Sequence, residues 1–126
     1  MLWFSLNEDA MLTSIQFIDS DLAYVSGEFG TLARSSDGGA NWEVLPPMRD
    51  EFYPQTTLFT DAETGWSVGL DGLVLHSTDA GETWDMTPTP VSAPLYGLFQ
   101  MAGSLYALGE NATVLKHETE DRKSVV

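Results

Sequence analysis

The octapeptide Ser35-Ser36-Asp37-Gly38-Gly39-Ala40-Asn41-Trp42 returns 42 residues later as Ser77-Thr78-Asp79-Ala80-Gly81-Glu82-Thr83-Trp84. Both fit S-x-D-x-G-x-x-W, and a pattern this specific at a fixed period constrains the fold more than any other feature of the chain. An Asp at the head of a tight turn accepts hydrogen bonds from backbone N–H groups a few residues on. A Gly two residues later suits a positive φ that a Cβ would resist. The preceding Ser adds a local bond. Trp42 and Trp84 then open a strand, and each can bury roughly 150–250 Å². Ser35, Asp37, Gly39 and Trp42, with Ser77, Asp79, Gly81 and Trp84, therefore read as self-satisfied turns with a hydrophobic anchor. One carboxylate per turn is too few for a calcium cage, so no metal site is expected there.

Aligning the two turns aligns much else. Phe17, Phe59 and Phe99 fall into step, as do Tyr24, Trp66 and Tyr106, and Gly27, Gly69 and Gly109. Asp19 and Asp61 match just after the first strand of their units. Each unit reads as short strands of dense, partly alternating apolar residues, with turns every eight to twelve residues or so, and no window has helical periodicity. The third strand of each unit is expected at 31–34, 73–76 and 113–116, and the fourth at 42–45 and 84–87.

Repeats of four short strands in about 40–50 residues are β-propeller blades. The expected fold class is all-β, a single domain (1–126) of three four-stranded antiparallel blades of about 42 residues: 12–45, 56–87 and 94–121. Residues 1–6 carry Trp3-Phe4-Ser5-Leu6, which resembles Trp42-Glu43-Val44-Leu45 and reads as a fourth strand completing a blade. The third Asp motif has decayed, with Thr119 where Asp is expected and Ser124 in place of Trp. Three blades do not close, and an open arc exposes strand edges and apolar faces. A homodimer closing a six-bladed ring is expected, with the Trp3 strand exchanged between chains. The alternative is that the chain is a fragment of a longer propeller.

The stretches 59–69 (FTDAETGWSVG) and 73–84 (LVLHSTDAGETW) resemble the Asp-box repeats of bacterial neuraminidases and sortilin-like propellers, and more closely those of the photosystem II assembly and stability factor family. The likeness runs over roughly residues 12–118. It is specific for the fold, and it implies that the eight Asp-box residues named above are peripheral and structural, holding the turns together rather than doing chemistry.

Composition narrows the partners. Nineteen acidic residues against five Lys and Arg give a net charge of −14. No basic stripe can be drawn from Arg34, Arg49, Lys116, Arg122 and Lys123, so nucleic acid and anionic membrane are not expected as partners. The acidity suits solubility, or a basic protein or peptide partner. No apolar run reaches the length of about 18 residues that a membrane helix needs, and the N-terminus has no basic leader. A chain complete as written stays in the cytoplasm. There is no cysteine.

No catalytic constellation is visible. A neuraminidase needs three clustered arginines, and Arg34, Arg49 and Arg122 sit in no matching motif. His76 and His117 fall one step before their Asp motifs, as peripheral strand residues. Neither a metal nor another cofactor is expected. Asn111-Ala112-Thr113 matches a glycosylation sequon and is read as chance, and Gly27-Glu28-Phe29-Gly30 is a hairpin rather than a phosphate loop, since no helix follows it. Binding is expected at the end where inter-blade connections and second-to-third-strand hairpins gather. The longest connection, 46–55, holds Arg49, Phe52 and Tyr53, residue types common in binding hot spots. Phe29, Leu70, Glu28, Asp71 and Glu110 stand at or beside the hairpin tips. Phe52 and Tyr53 could equally fold back over the blade junction. The function expected is a non-enzymatic scaffold binding a protein or peptide through this loop face, and the alternative is a carbohydrate-binding or glycoside-hydrolysing propeller.

Overall fold

The computed structural model describes residues 10–118. The proposed strand at Trp3 and the decayed motif around Thr119 and Ser124 lie outside the described residues.

Three antiparallel sheets follow one another along the chain. The first holds β1 (Leu12–Phe17), β2 (Ala23–Gly27), β3 (Thr31–Ser35) and β4 (Glu43–Val44). The second holds β5 (Pro54–Phe59), β6 (Gly65–Gly69), β7 (Val74–Ser77) and β8 (Asp85–Thr87). The third holds β9 (Leu95–Met101), β10 (Ser104–Gly109) and β11 (Thr113–Glu118). In each sheet every strand pairs with its sequence neighbour, which is the blade topology. The expectation of four strands per blade holds for the first two sheets. The third has three among the described residues.

The second strand of each full blade is buried at every position, Ala-Tyr-Val-Ser-Gly in β2 and Gly-Trp-Ser-Val-Gly in β6. In the second blade, which has a neighbour on each side, alternate residues feed two different cores. Between the first two blades lie Tyr24, Leu32, Phe59 and Leu75, joined by Leu45, Met48 and Phe52. Between the second and third lie Trp66, Val68, Val74, Leu95, Leu105 and Ala107. Leu75 and Val74, adjacent on β7, thus point to opposite junctions. The recurring glycine that ends each second strand is enforced by the segment that leads into the first strand of the same blade. A Cβ on Gly27 would lie 2.2 Å from the Met11 carbonyl oxygen, and one on Gly109 would lie 2.3 Å from that of Pro94.

Four expectations are corrected. First, the fourth strands begin one residue after the tryptophans, and Trp42 and Trp84 are half-buried. Each indole N–H donates to a carbonyl in its own turn, Gly39 or Gly81, at 2.9 and 3.0 Å, which holds the ring over the turn ahead of the strand. Second, Phe99 does not match Phe17 and Phe59. Phe17 pairs with Ala23 and Phe59 with Gly65, but Phe99 pairs with Tyr106. Residues 18–22 and 60–64 form five-residue turns in which Asp19 and Asp61 each accept two backbone N–H bonds at 2.8 Å. The third blade instead turns at Ala102-Gly103, both with positive φ (51° and 83°), and only residues 101–104 separate Gln100 from Leu105. One residue fewer reverses the face. Phe59 is 3% exposed, Phe99 is 53% exposed, and Gln100 stands where a core phenylalanine was expected. Third, His117 is not equivalent to His76. Leu105 pairs with His117 as Gly65 pairs with Ser77, so His117 occupies the Asp-box serine position and Lys116 matches His76. Fourth, Phe52 is a core residue, 2% exposed.

Candidate functional site

Two regions bring together residues able to bind a ligand. The first is the loop end. At the β2–β3 hairpin, Glu28–Gly30 form a single 3-10 turn with Phe29 at φ 62°, ψ 28°. A non-glycine residue in that region is strained, and it persists where its surroundings fix it. Here the connection after β4 does so: the Met48 N–H donates to the Gly30 carbonyl at 2.8 Å, and the Arg49 backbone packs so closely that a Cβ on Gly30 would meet it. The constraint turns the Phe29 ring outward, half exposed, edge-on to Tyr53 with centroids 5.5 Å apart. Arg49 is exposed on the same connection. Glu28 accepts the Met11 N–H at 3.0 Å. Asp71 and Leu70 are exposed at the tip of the neighbouring hairpin, and Tyr96 donates to Glu110 at 3.0 Å near the third. Phe29, on the first blade's hairpin, and Tyr53 and Arg49, on the connection to the second blade, are therefore assembled at the junction of the two, while Asp71 belongs to the second blade's own hairpin. Phe52 fills the core beneath, where its ring limits Gly69 to a hydrogen side chain, and it is removed from the candidate binding residues. Apart from Arg49, the charged residues here are Glu28, Asp50, Glu51, Asp71 and Glu110, so this end is acidic.

The second region is a cleft of about 430 Å³ between the second and third blades, lined by Trp66, His76, Thr87, Gln100, Leu105 and His117 among others. His76 stacks on Trp66 (3.9 Å, 11°), its cross-strand partner, and His117 packs against the same indole at 4.9 Å. Burial, with the nearby His117 charge second, pushes the His76 pKa below its usual value, and Asp85 partly opposes this. Among the described residues, the buried His76 Nε2 has no hydrogen-bond partner. Sequence reasoning missed this cleft. The available signal was that His76 replaces Arg34 in the repeat, beside a Trp in place of Tyr24.

The two Asp boxes occupy the opposite end. Asp79 accepts hydrogen bonds from the Ser77 hydroxyl at 2.8 Å, the Thr83 N–H at 2.9 Å and the Thr83 hydroxyl. These bonds, the Thr83 hydroxyl first, lower its pKa to about 2. Asp37 accepts the same set with Asn41 in place of Thr83, and its pKa is lowered for the same reason. Both carboxylates are consumed by their own turns. Arg34 also lies at this end, bonded to Glu43 at 3.0 Å and Glu82 at 3.3 Å. It is thus at the opposite end of the blade from Arg49, and the two form no arginine cluster. Among the described residues no group of three or more His, Cys, Asp or Glu could hold a metal ion. No helix among them is long and apolar enough to cross a membrane.

Residues 2–105 match the family model described as Photosynthesis system II assembly factor YCF48. A structure of YCF48 bound to a D1 peptide superposes with TM-score 0.79 at 23% identity, over 91% of this chain and 40% of that one. YCF48 from Cyanidioschyzon merolae gives 0.72 at 20% identity, over 90% and 36%. An ancestral GH74 enzyme gives 0.53 at 14% identity, over 87% and 20%. The chain thus spans about two fifths of the length of the YCF48 structures it matches. No curated protein sequence matches it significantly.

Proposed function

The chain belongs to the Photosynthesis system II assembly factor YCF48 family, and from that premise we propose that it is a non-enzymatic propeller scaffold that holds an extended peptide segment of a protein partner on its loop end. One observation carries the reading: Phe29 is half exposed, held outward by a constrained turn and packed edge-on to the partly buried Tyr53, on the side where the Arg49 backbone closes over Gly30. A preset aromatic pair loses little conformational freedom on binding and offers a large apolar contact. The surrounding carboxylates favour a peptide with basic residues beside the aromatic contact. The YCF48 structure with a bound D1 peptide supports the peptide class. We read the apolar faces at both ends of the described arc as seats for further blades, which a second copy of this chain in a six-bladed ring would supply. Ile15 and Phe17 stand on the first blade and Phe99 and Val114 on the third, each half or more exposed.

Fluorescence titration with the D1 peptide, and with Lys-rich and Glu-rich peptides of equal length, tests this. The expected result is binding by the first or second, weakened at least about tenfold by Phe29→Ala, a loss of about 1.4 kcal/mol. Phe29 is exposed, so that variant keeps its fold. Binding that ignores both Phe29→Ala and Tyr53→Ala overturns the loop-end reading.

A further inference from the structure

Two cavities adjoin at the junction of the second and third blades, and we infer that together they take an uncharged aromatic alcohol, a free small molecule with a rigid apolar ring and a hydroxyl. One is the cleft of about 430 Å³ already described. The other, of about 230 Å³, lies beside it, and Trp66, Thr87, Leu105 and His117 line both. The walls belong to the second and third blades and to the connection between them. At the first junction the matching space is filled by side chains of the chain itself. Phe59 lies between Tyr24, stacked on it at 3.6 Å, and Trp84, edge-on at 5.9 Å. At the second junction Gln100 stands where Phe59 stands in the repeat, so the bulk that is missing is that of an aromatic ring.

The two linings differ in chemistry. The larger cavity is bordered by Thr60, Thr64, Thr78, Gln100 and Ser104, with the two imidazoles. The smaller is walled by Val74, Leu98, Ala107 and Leu115, with Pro88 and Pro90 of the connection. A ligand with one polar and one apolar end matches that division, and a rigid ring loses little freedom on entering. Charge narrows the class. Neither lining contains an Asp or Glu, in a chain that has nineteen, so a cation finds no carboxylate to pair with. An anion meets a chain of net charge −14 and finds no arginine there, and Lys116 is placed over the Tyr106 ring at 6.0 Å. Burial holds His76 toward its neutral form. Hydroxyl, amide and neutral imidazole groups each donate and accept, and a ligand hydroxyl does both, so it finds a partner among them in any orientation. Among the described residues the His76 Nε2 has no hydrogen-bond partner, so this wall keeps bonding capacity that the protein itself does not spend.

Titration calorimetry of the full chain with 2-naphthol at pH 7 is the test, with naphthalene-2-carboxylate as the anionic comparator and 2-naphthylmethylamine as the cationic one. The expected result is that 2-naphthol binds at least about tenfold more tightly than either. Thr87→Trp places a bulky ring where the two cavities meet and should weaken 2-naphthol at least about tenfold. Gln100→Leu and His117→Leu replace exposed residues, so they keep the fold and carry the test should the Thr87 variant disturb β8; each should reduce the preference for the alcohol. Phe29→Ala should leave 2-naphthol binding unchanged, which separates this site from the loop end. No binding at millimolar 2-naphthol overturns the inference, as does equal binding of all three probes. Binding that ignores Gln100→Leu, His117→Leu and a folded Thr87→Trp places the ligand elsewhere and overturns it too. A tyrosine-containing tripeptide bound more tightly than 2-naphthol assigns the cleft to a protein side chain and overturns the free small molecule.

Discussion

The two blade junctions are made of the same repeat and are held together differently. At the first, Gln16 acts as a substitute peptide group: its Nε2 donates to the Phe59 carbonyl at 2.9 Å and its Oε1 accepts the Phe59 N–H at 2.7 Å. Beside it, Tyr24 stacks on Phe59 at 3.6 Å, and its hydroxyl donates to the Ala62 and Ala80 carbonyls of the next blade. Ser26, Thr57 and Ser67 form a buried hydroxyl chain at 2.7 and 2.9 Å. At the second junction the matching residues are Leu58, Trp66 and Val68. The Thr56 hydroxyl still donates to the Tyr96 carbonyl at 2.6 Å, but the rest of the polar clamp is replaced by apolar packing and a half-open cleft. Repeats of equal topology thus divide between a directional joint, which fixes one geometry, and a greasy one, which leaves space.

Paired substitutions sharpen or break this contrast. The largest effect is expected at Phe59. Phe59→Ala should cost about 3–5 kcal/mol, and Phe99→Ala less than about 1 kcal/mol in the monomer, by urea melts. Equal losses would mean that the third blade shares the register of the second. Next comes Gln16→Leu, which copies Leu58 and leaves both Phe59 backbone groups without their partner, at a cost of about 1–3 kcal/mol. A neutral result would show that the clamp is replaceable by packing alone.

Smaller effects are expected from titration. The folded pKa of Asp79 lies at about 2 against the usual 3.8 of an aspartate, so the carboxylate stabilises the fold above the unfolded value and that stabilisation is lost as pH falls through the folded one. Asp79→Ala should remove the pH dependence of the melting temperature between about pH 4 and 2 that this group supplies, and an unchanged acid limb would remove the carboxylate from the turn. The smallest effect belongs to His76. Its folded pKa is lowered, so the unfolded chain binds the proton more tightly and stability falls as pH drops below about 6.5. His76→Phe keeps the stack on Trp66 and should flatten that limb. If the slope persists, another group titrates there.

Much of the architecture was legible because the repeat carries its own chemistry. Serine, aspartate, glycine and tryptophan at fixed spacing make sense only as a closed turn, and the structure places every one of those bonds within a single motif. The blade count followed from the period. The junctions were less legible, since Gln16 and Leu58 occupy matched positions and only the neighbouring sheet reveals that one binds backbone and the other packs. Phe99 misled because an offset of 40 residues aligns it with Phe59 and aligns Tyr106 with Trp66 simultaneously. The chain satisfies only the second match, and the cause is the length of a turn rather than the identity of any residue. Phe52 and Tyr53 are adjacent aromatics in one connection. Alternation sends one inward and the other to the surface beside Phe29, which their types alone do not foretell.

The shortened turn at Ala102-Gly103 has a consequence in genetic terms. Which face of a strand meets its neighbour depends on whether the preceding turn has an odd or even number of residues. A turn one codon shorter therefore exchanges the two faces of that one strand while leaving its hydrogen-bond ladder intact.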